Sequence, residues 1–331
     1  MIRLPIPANS KVLVAPLNWG LGHATRSIPI IQSLLDNHCI VSIASDNDAL
    51  ALLRMEFPDL NYFKLPGYDI RYSYKSMAAN MLFQLPKILG AFKKEKKEID
   101  RLQKNQDWDC IISDGRYGVR GEKAQNIFIS HQLQIQSWNP IAASIATLIN
   151  KKLINKFDEL WIPDEEKQLL SGNLSNANGI HKHRFIGVLS RMRPLRIPIK
   201  YDIAIVLSGP EPSRTYLEKK LISILEGVDK KIAFVRGVDD SNLASNFNDN
   251  MDVFGRLGSE QLNQIISASN LMISRAGYSS IMDLFALHKK AILIPTPGQT
   301  EQEYLAQYLD KNPLFTFLDE KEISQLSELL V

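Results

Sequence analysis

The chain has 331 residues, 45% hydrophobic and 23% charged, with a formal net charge of +3. The length suggests two domains of roughly 100–200 residues each, and the composition is ordinary for a globular protein. The small net charge, with no zinc-finger spacing and no recognisable nucleic-acid-binding module, argues against a nucleic-acid partner. Cys39 and Cys110 are the two cysteines. Both lie in apolar, strand-like runs and read as reduced core residues of a cytoplasmic protein, not as a disulfide framework. The opening MIRLPIPANSKVLVAP contains prolines and no continuous apolar stretch, which argues against a signal peptide. No window approaches the roughly 20 apolar residues of a spanning helix.

In chain order, the pattern predicts strands over Lys11–Ala15, Cys39–Ala44, Tyr62–Leu65, Cys110–Ser113, Ile127–Ser130 and Glu159–Ile162, with helices over Thr25–Asp36 and Leu82–Gln103 between them. Continuous Ile- and Val-rich runs fit strands buried on both faces of a parallel sheet. Residues 187–201 (GVLSRMRPLRIPIKY) carry prolines and no clear period, so they read as a linker. The alternation then restarts with strands at Asp202–Leu207, Lys231–Val235, Met251–Phe254, Leu271–Ser274 and Ala291–Pro295. The expected fold is α/β, with two Rossmann-like, doubly wound domains over 1–186 and 202–331. Ligands in such sheets bind beyond the carboxyl ends of the strands, so both first strands are expected to aim their loops into a central cleft. The final Glu320–Leu330 reads as a helix packing back on the N-terminal domain. The chain ends directly after it at Val331, which leaves open a continuation of the natural chain.

The loop after the first strand reads Asn18-Trp19-Gly20-Leu21-Gly22-His23-Ala24-Thr25-Arg26. Gly20 and Gly22 allow a tight turn and close approach to a ligand, and free amides at the following helix start can bind an anion. A third glycine is missing, so this is not a dinucleotide fingerprint. His23 is the titratable group of near-neutral pKa in the loop and can act as a base. A plain strand-to-helix turn with a polar cap accounts for the same residues. Asp114, after the strand Cys110–Ser113, is a second candidate base, a group that orients His23, or a turn residue in Ser113-Asp114-Gly115. His131, after the strand Ile127–Ser130, is a third candidate.

In the second half, Ser208-Gly209-Pro210-Glu211-Pro212-Ser213-Arg214 leads from a strand into a helix, a place suited to a phosphate or diphosphate. The densest pattern is LMISRAGYSSIMDLFALHKKAILIPTPGQTEQEYLAQYL, residues 271–309. A strand ends at Ser274, Arg275-Ala276-Gly277 turns, and Ser279-Ser280 opens a helix that carries Asp283. A second strand ends in Thr296-Pro297-Gly298-Gln299 before a helix starting Thr300-Glu301-Gln302-Glu303. Two helix N-termini thus meet at one sheet edge. Capping residues in two ordinary α/β turns are the alternative.

This segment resembles the nucleotide-sugar site of the MurG-like glycosyltransferases, glycosyltransferase family 28, which also include diacylglycerol galactosyltransferases. GLGHATR is similar to that family's N-terminal glycine loop ending in His. The resemblance implies the two-domain GT-B fold, inversion at the anomeric carbon, no required metal or other cofactor, and a uridine-based nucleotide-sugar donor. It places Arg275, Ala276 and Gly277 by the diphosphate, with Ser279 and Ser280 beside them, and Ser208 and Gly209 in the second glycine loop. Asp283 stands where the family's acidic residue binds ribose. Gln299, Glu301, Gln302 and Glu303 fall where the donor sugar is contacted, and Leu257 and Gly258 near the base. Gly20, Gly22 and Arg26 form an acceptor or phosphate loop, and Trp19 is a candidate for stacking on a sugar. The family often has two amides at Gln302 and Glu303, so the carboxylate of Glu303 leaves the donor sugar open.

The resulting expectation is an inverting hexosyltransferase with His23 or Asp114 as base and an acceptor hydroxyl on a lipid or cell-envelope glycan. A nucleotide-sugar 2-epimerase of the same fold and a non-catalytic nucleotide-sugar-binding subunit are the alternatives. Residues 75–98 (KSMAANMLFQLPKILGAFKKEKKE) set Met77, Met81, Leu82, Phe83, Leu85, Ile88, Leu89 and Phe92 beside clustered lysines. Such a face suits an anionic bilayer at the inner side of the cytoplasmic membrane, and equally a helix packed on its own domain. Pro86 is expected to break or kink it.

Overall fold

The computed structural model describes residues 4–68, 77–137, 139–238 and 249–330, without the side chains of 77–85. It divides into two compact units, Met1–Arg191 and Met192–Val331. The division falls inside the stretch 187–201. Residues 192–200 form no helix or strand, and 193–200 are exposed.

The N-terminal unit runs β1 (Lys11–Pro16), α1 (Gly22–Asp36), β2 (Ile40–Ser45), α2 (Asn47–Glu56), β3 (Asn61–Lys64), α3 (Met77–Leu102), β4 (Cys110–Asp114), β5 (Gln125–Ile129), α4 (Pro140–Ile154), β6 (Glu159–Ile162) and β7 (His183–Phe185). Among the described residues, these strands form one sheet in the order β3-β2-β1-β4-β5-β6-β7, parallel throughout. The strand order reverses between β1 and β4, where Pro16 lies opposite Asp114. Right-handed crossovers then put α1 and α2 on one face and α3 and α4 on the other. The Tyr117 ring bridges that second layer: it packs 5.1 Å from Phe92 of α3, and its hydroxyl donates to Asn150 of α4 at 2.6 Å.

The central strands bury nearly every residue because both faces are covered: Val12, Leu13, Val14 and Ala15 of β1 and Ile111 and Ile112 of β4 are fully enclosed. A buried charge also fixes the sheet's carboxyl edge. Arg116 has no exposed surface. It pairs with Asp46 and, at 2.9 Å, with Glu95 of α3, and donates to the Pro16 carbonyl at 2.9 Å.

Several elements differ from expectation. α3 runs unbroken through Pro86. Of its expected apolar face, Met77, Met81, Leu82, Phe83 and Leu85 lie outside the described side chains. Ile88 is buried, Leu89 is exposed, and Phe92 packs on Tyr68 and Tyr117. α4 begins with a strong local signal, because the Asn139 side chain accepts from the amides of Ile141 and Ala142 at 3.0 and 3.1 Å and Pro140 sits at the first helical position. Strand β7, with the sequence HRF, has no apolar run to announce it.

The C-terminal unit runs β8 (Tyr201–Val206), α5 (Ser213–Leu225), β9 (Ile232–Val235), β10 (Met251–Phe254), α6 (Ser259–Ser267), β11 (Ser269–Arg275), α7 (Tyr278–Ala286), β12 (Ala291–Ile294), α8 (Thr300–Leu309), β13 (Phe315–Phe317), a 3-10 turn (Glu320–Gln325) and α9 (Leu326–Leu329). Its described strands are parallel, in the order β10-β9-β8-β11-β12-β13, so they reverse between β8 and β11. Leu217 and Leu221 of α5 pack on Ile203, Phe234 and Ile273 of the sheet. The terminal segment corrects one expectation: Ile323, Leu326 and Leu330 join this same core, where the sequence reading set them against the N-terminal domain. Their apolar spacing fitted either surface.

Candidate active site

At the β1/β4 switch point, the Leu17 amide donates to the Asp114 carbonyl at 2.9 Å, tying the two strand ends together. Gly20 then turns the chain at φ +71°, a left-handed conformation that favours glycine. α1 starts at Gly22, so His23 and Arg26 stand one turn apart on the same helix face. Both reach Asp114. His23 Nδ1 is 2.8 Å from Asp114 Oδ1. Arg26 Nε donates to Asp114 Oδ2 at 2.6 Å, and Arg26 Nη2 donates to Oδ1. Gly115, at φ +79°, leaves room for the imidazole: a Cβ there would lie 2.9 Å from His23 Cε1.

Asp114 is fully buried. Burial alone would raise its pKa, but Arg26 and then His23 outweigh burial and hold the carboxyl at about 2. It is therefore a fixed anion, committed to two partners, and a poor proton acceptor. Burial lowers the pKa of His23; Asp114 partly offsets this, and Arg26 lowers it again. An ionised carboxylate only accepts hydrogen bonds and a guanidinium only donates them, so the contacts of Nδ1 with Asp114 Oδ1 and with Arg26 Nη2, each 2.8 Å, favour opposite tautomers; in the one that Asp114 selects, the proton is on Nδ1. Nε2 is left as the basic nitrogen.

The structure corrects the expected role of Arg26. It is 5% exposed and clamped on Asp114, so it does not line a phosphate loop. His131 is also buried, with Nδ1 3.2 Å from Arg26 Nη1, which puts it behind the guanidinium. Gly22 is the first residue of α1. Trp19, a candidate for sugar stacking, is half-buried against Leu17, Tyr68 and Ala91.

In the C-terminal unit, the loops after β8 and β11 flank the other switch point. Ser208 and Gly209 are exposed there, with Gly209 at φ +105°. Ala276 is buried and Gly277 caps α7 at its N-terminus, followed by half-buried Ser279 and Ser280. Glycine at the cap offers no side-chain acceptor to the first-turn amides. Asp283 lies in the second turn of α7, half-buried. Leu257 and Gly258 are half-buried between β10 and α6, with Gly258 as the N-cap of α6.

Arg275 departs from its expected place beside a diphosphate. It is the last residue of β11 and 2% exposed. Its guanidinium pairs with Glu320 at 2.6 Å and donates to the carbonyls of Ser213 at 2.9 Å and Pro295 at 3.3 Å. Arg275 thus ties the start of α5 and the end of β12 to the central strand. Gln302 and Glu303 also turn inward to their own loop. Gln302 Oε1 accepts from the Thr296 amide at 2.8 Å, its Nε2 donates to Gln299, and Glu303 Oε1 accepts from the Gly298 amide at 3.0 Å. Glu301, half-buried, opens α8 with them. Sequence reasoning missed Glu320 and the ion cluster of Arg214, Glu218 and Arg236. The spacing of four residues from Arg214 to Glu218 was a readable signal for part of it.

Among the described residues, no group of three or more His, Cys, Asp or Glu is placed to hold a metal ion. Residues 238–331 match the family model described as the glycosyltransferase family 28 C-terminal domain. The match covers most of the C-terminal unit. Solved structures give the fold of both units. The glycotransferase of kitacinnamycin aligns with a TM-score of 0.68 at 13% identity, over 98% of this chain and 91% of that one. The UGT2 of Phytolacca americana, solved with UDP-2fluoro-glucose and pterostilbene, aligns with a TM-score of 0.66 at 13% identity, over 99% and 89%. MurG of Acinetobacter baumannii aligns with a TM-score of 0.55 at 13% identity, over 96% and 88%. No curated protein gives a sequence match. The fold is GT-B, two Rossmann-like parallel α/β units.

The Asp114 pairing has a measurable consequence. Its carboxyl falls from an ordinary 3.8 to about 2 on folding, so its stabilising contribution is full above the unfolded value and is lost as pH falls through the folded one. Denaturant unfolding of Asp114→Asn against the parent is expected to show a stability deficit that includes about 2 kcal/mol from this ionisation near neutral pH. The deficit should shrink as pH falls below about 4. A deficit independent of pH would contradict the pairing.

Proposed function

We propose that the chain is an inverting glycosyltransferase that moves a sugar from a uridine diphosphate donor to an acceptor hydroxyl, with His23 as the base. The observation that carries this reading is the 2.8 Å contact of His23 Nδ1 with buried Asp114, which supports a tautomer that keeps the proton on Nδ1 and presents Nε2 as the base. In the reaction, the acceptor O–H bond breaks and its proton passes to Nε2. The acceptor oxygen bonds to the anomeric carbon as the bond from that carbon to the diphosphate oxygen breaks. The nucleoside diphosphate leaves with the electron pair, and a single displacement inverts the centre. The positive charge left on the imidazole faces Asp114, which stays ionised. Its role is to orient and stabilise, so Asp114 is no longer a candidate base.

The donor is assigned to the C-terminal unit. The first turns of α5, α7 and α8 follow the carboxyl ends of β8, β11 and β12, where backbone amides can meet a diphosphate. Asp283 is assigned to the ribose hydroxyls. UDP-2fluoro-glucose in the Phytolacca UGT2 supports a uridine donor. Amides take the part of a metal ion at the leaving group, and no cofactor is required. With a panel of UDP-sugars and release of UDP as readout, His23→Ala is expected to lower turnover by about a hundredfold or more, while EDTA leaves the parent rate unchanged. Unchanged turnover in His23→Ala would remove His23 as the base; loss of activity in EDTA would overturn the metal-free reading.

One surface favours a membrane-borne acceptor. α4 exposes Ile141, Ile145, Leu148 and Ile149, each by more than half, at the spacing of one helix face. Lys152 in its last turn and Lys156 just after it are exposed, as are Lys93, Lys94 and Lys97 on α3. An exposed apolar helix face that ends in lysines suits an anionic lipid surface, the inner leaflet of a cytoplasmic membrane. Among the described residues, no helix is long and apolar enough to cross a membrane. The assignment shifts the expected contact from 75–98 towards α4. Ile145→Glu with Leu148→Glu, both at exposed positions, is expected to abolish co-sedimentation with phosphatidylglycerol vesicles. Equal binding by parent and variant, or equal parent binding to neutral vesicles, would contradict it.

A further inference from the structure

We propose that Arg26 is a positioning residue for His23: by clamping Asp114 with two N–H groups and lying against the imidazole, it disfavours a second positive charge on the ring and so keeps the base neutral. The inference rests on the reading of His23 as the base and adds a positioning residue to it.

A buried aspartate beside a histidine, alone, would favour imidazolium. The pair would then rest as an ion pair, with the proton already on the ring and no basic nitrogen for the acceptor. Here the carboxylate charge is answered by a guanidinium before histidine ionises. Arg26 Nε lies 2.6 Å from Oδ2, and Nη2 donates to Oδ1. That same Nη2 is 2.8 Å from His23 Nδ1. A second positive charge on the ring would therefore lie against the guanidinium in a site where Asp114 is fully buried and Arg26 is 5% exposed. Charges interact strongly at such separations away from water. With neutral His23, the set of Arg26, Asp114 and His23 carries no net charge. It becomes cationic only while the ring holds the acceptor proton.

Among the described residues, the charged and titratable groups that act on His23 are Arg26 from its own helix, Asp114 from β4 and His131 from the loop after β5. His131 Nδ1 lies 3.2 Å from Arg26 Nη1, so it backs the guanidinium and does not supply a compensating negative charge. The direction is consistent with the depressed basicity of His23, in which burial is the largest cause and Arg26 adds to it. The guanidinium also has a geometric function. Its two-point grip on one carboxylate is planar and directional, so it fixes which oxygen faces the imidazole.

Proton NMR of the full chain reads this without knowledge of the acceptor. The Cε1 proton of His23 is followed against pH in the parent, Arg26→Met and Arg26→Lys. His23 in the parent is expected to titrate below the ordinary histidine value of 6.5. Arg26→Met should raise its midpoint by about one pH unit or more, a tenfold gain in proton affinity. Arg26→Lys keeps the charge and loses the planar grip, so its midpoint should stay low while UDP release from UDP-glucose falls. A folded Arg26→Met with an unmoved midpoint would overturn the proposal. If Arg26→Met does not fold, a midpoint in Arg26→Lys at or above the ordinary 6.5 would overturn it as well. Failure of the base assignment reads differently: His23→Ala would release UDP at the parent rate, whatever the midpoints do.

Discussion

A carboxylate with no access to water must be matched by its surroundings, and Asp114 is such a group. Removing an ion of this kind from water costs several kcal/mol, offset only by well-placed partners. Arg26 supplies two N–H donors and His23 a third contact. The local fold is arranged around these contacts. Parallel pairing of β1 and β4 brings Pro16 opposite Asp114, so the loop after β1 starts beside the carboxylate. The positive φ of Gly20 turns that loop into α1, and helical spacing brings His23 and Arg26 to the same side. Gly115 leaves the imidazole its space. Arg116, two residues beyond Asp114, is pinned by Asp46, Glu95 and the Pro16 carbonyl and holds the strand end from the other direction.

The two units share an architecture and differ in what they place at the switch point. The N-terminal unit puts a histidine and a buried anion there, a combination suited to moving a proton. The C-terminal unit puts small residues and the first turns of helices there, a combination suited to an anionic ligand. Its most conspicuous cation, Arg275, is spent on Glu320 and two carbonyls. Arg275 holds together the elements whose helix starts lie at that edge. Gln302 and Glu303 shape the Thr296–Gln299 loop in the same indirect way, through its amides.

The central strands were legible in the sequence because a strand covered on both faces reads as an unbroken apolar run. Glu159–Ile162, buried throughout, was found to the residue, and so was the half-buried edge strand Met251–Phe254. The edge strands β7 and β13 are three residues each, HRF and FTF, too short and mixed to carry a period. The glycine loops and His23 were legible as local patterns, and Asp114 as a polar residue closing a buried strand. What the sequence did not reveal was the partner of each arginine. Arg26 meets a carboxylate 88 residues away and Arg275 one 45 residues away. An arginine beside a glycine loop looks like a ligand contact until its long-range partner is known.

The account depends most on which nitrogen of His23 carries the proton. Nitrogen-15 NMR of the full chain with labelled histidine, at a pH where His23 is neutral, reads this directly. The expected result is a protonated Nδ1, coupled to its own proton in the hydrogen bond to Asp114, and an unprotonated Nε2. A protonated Nε2 with a bare Nδ1, accepting from Arg26 in place of donating to Asp114, would leave the ring unable to take the acceptor proton and would contradict the account.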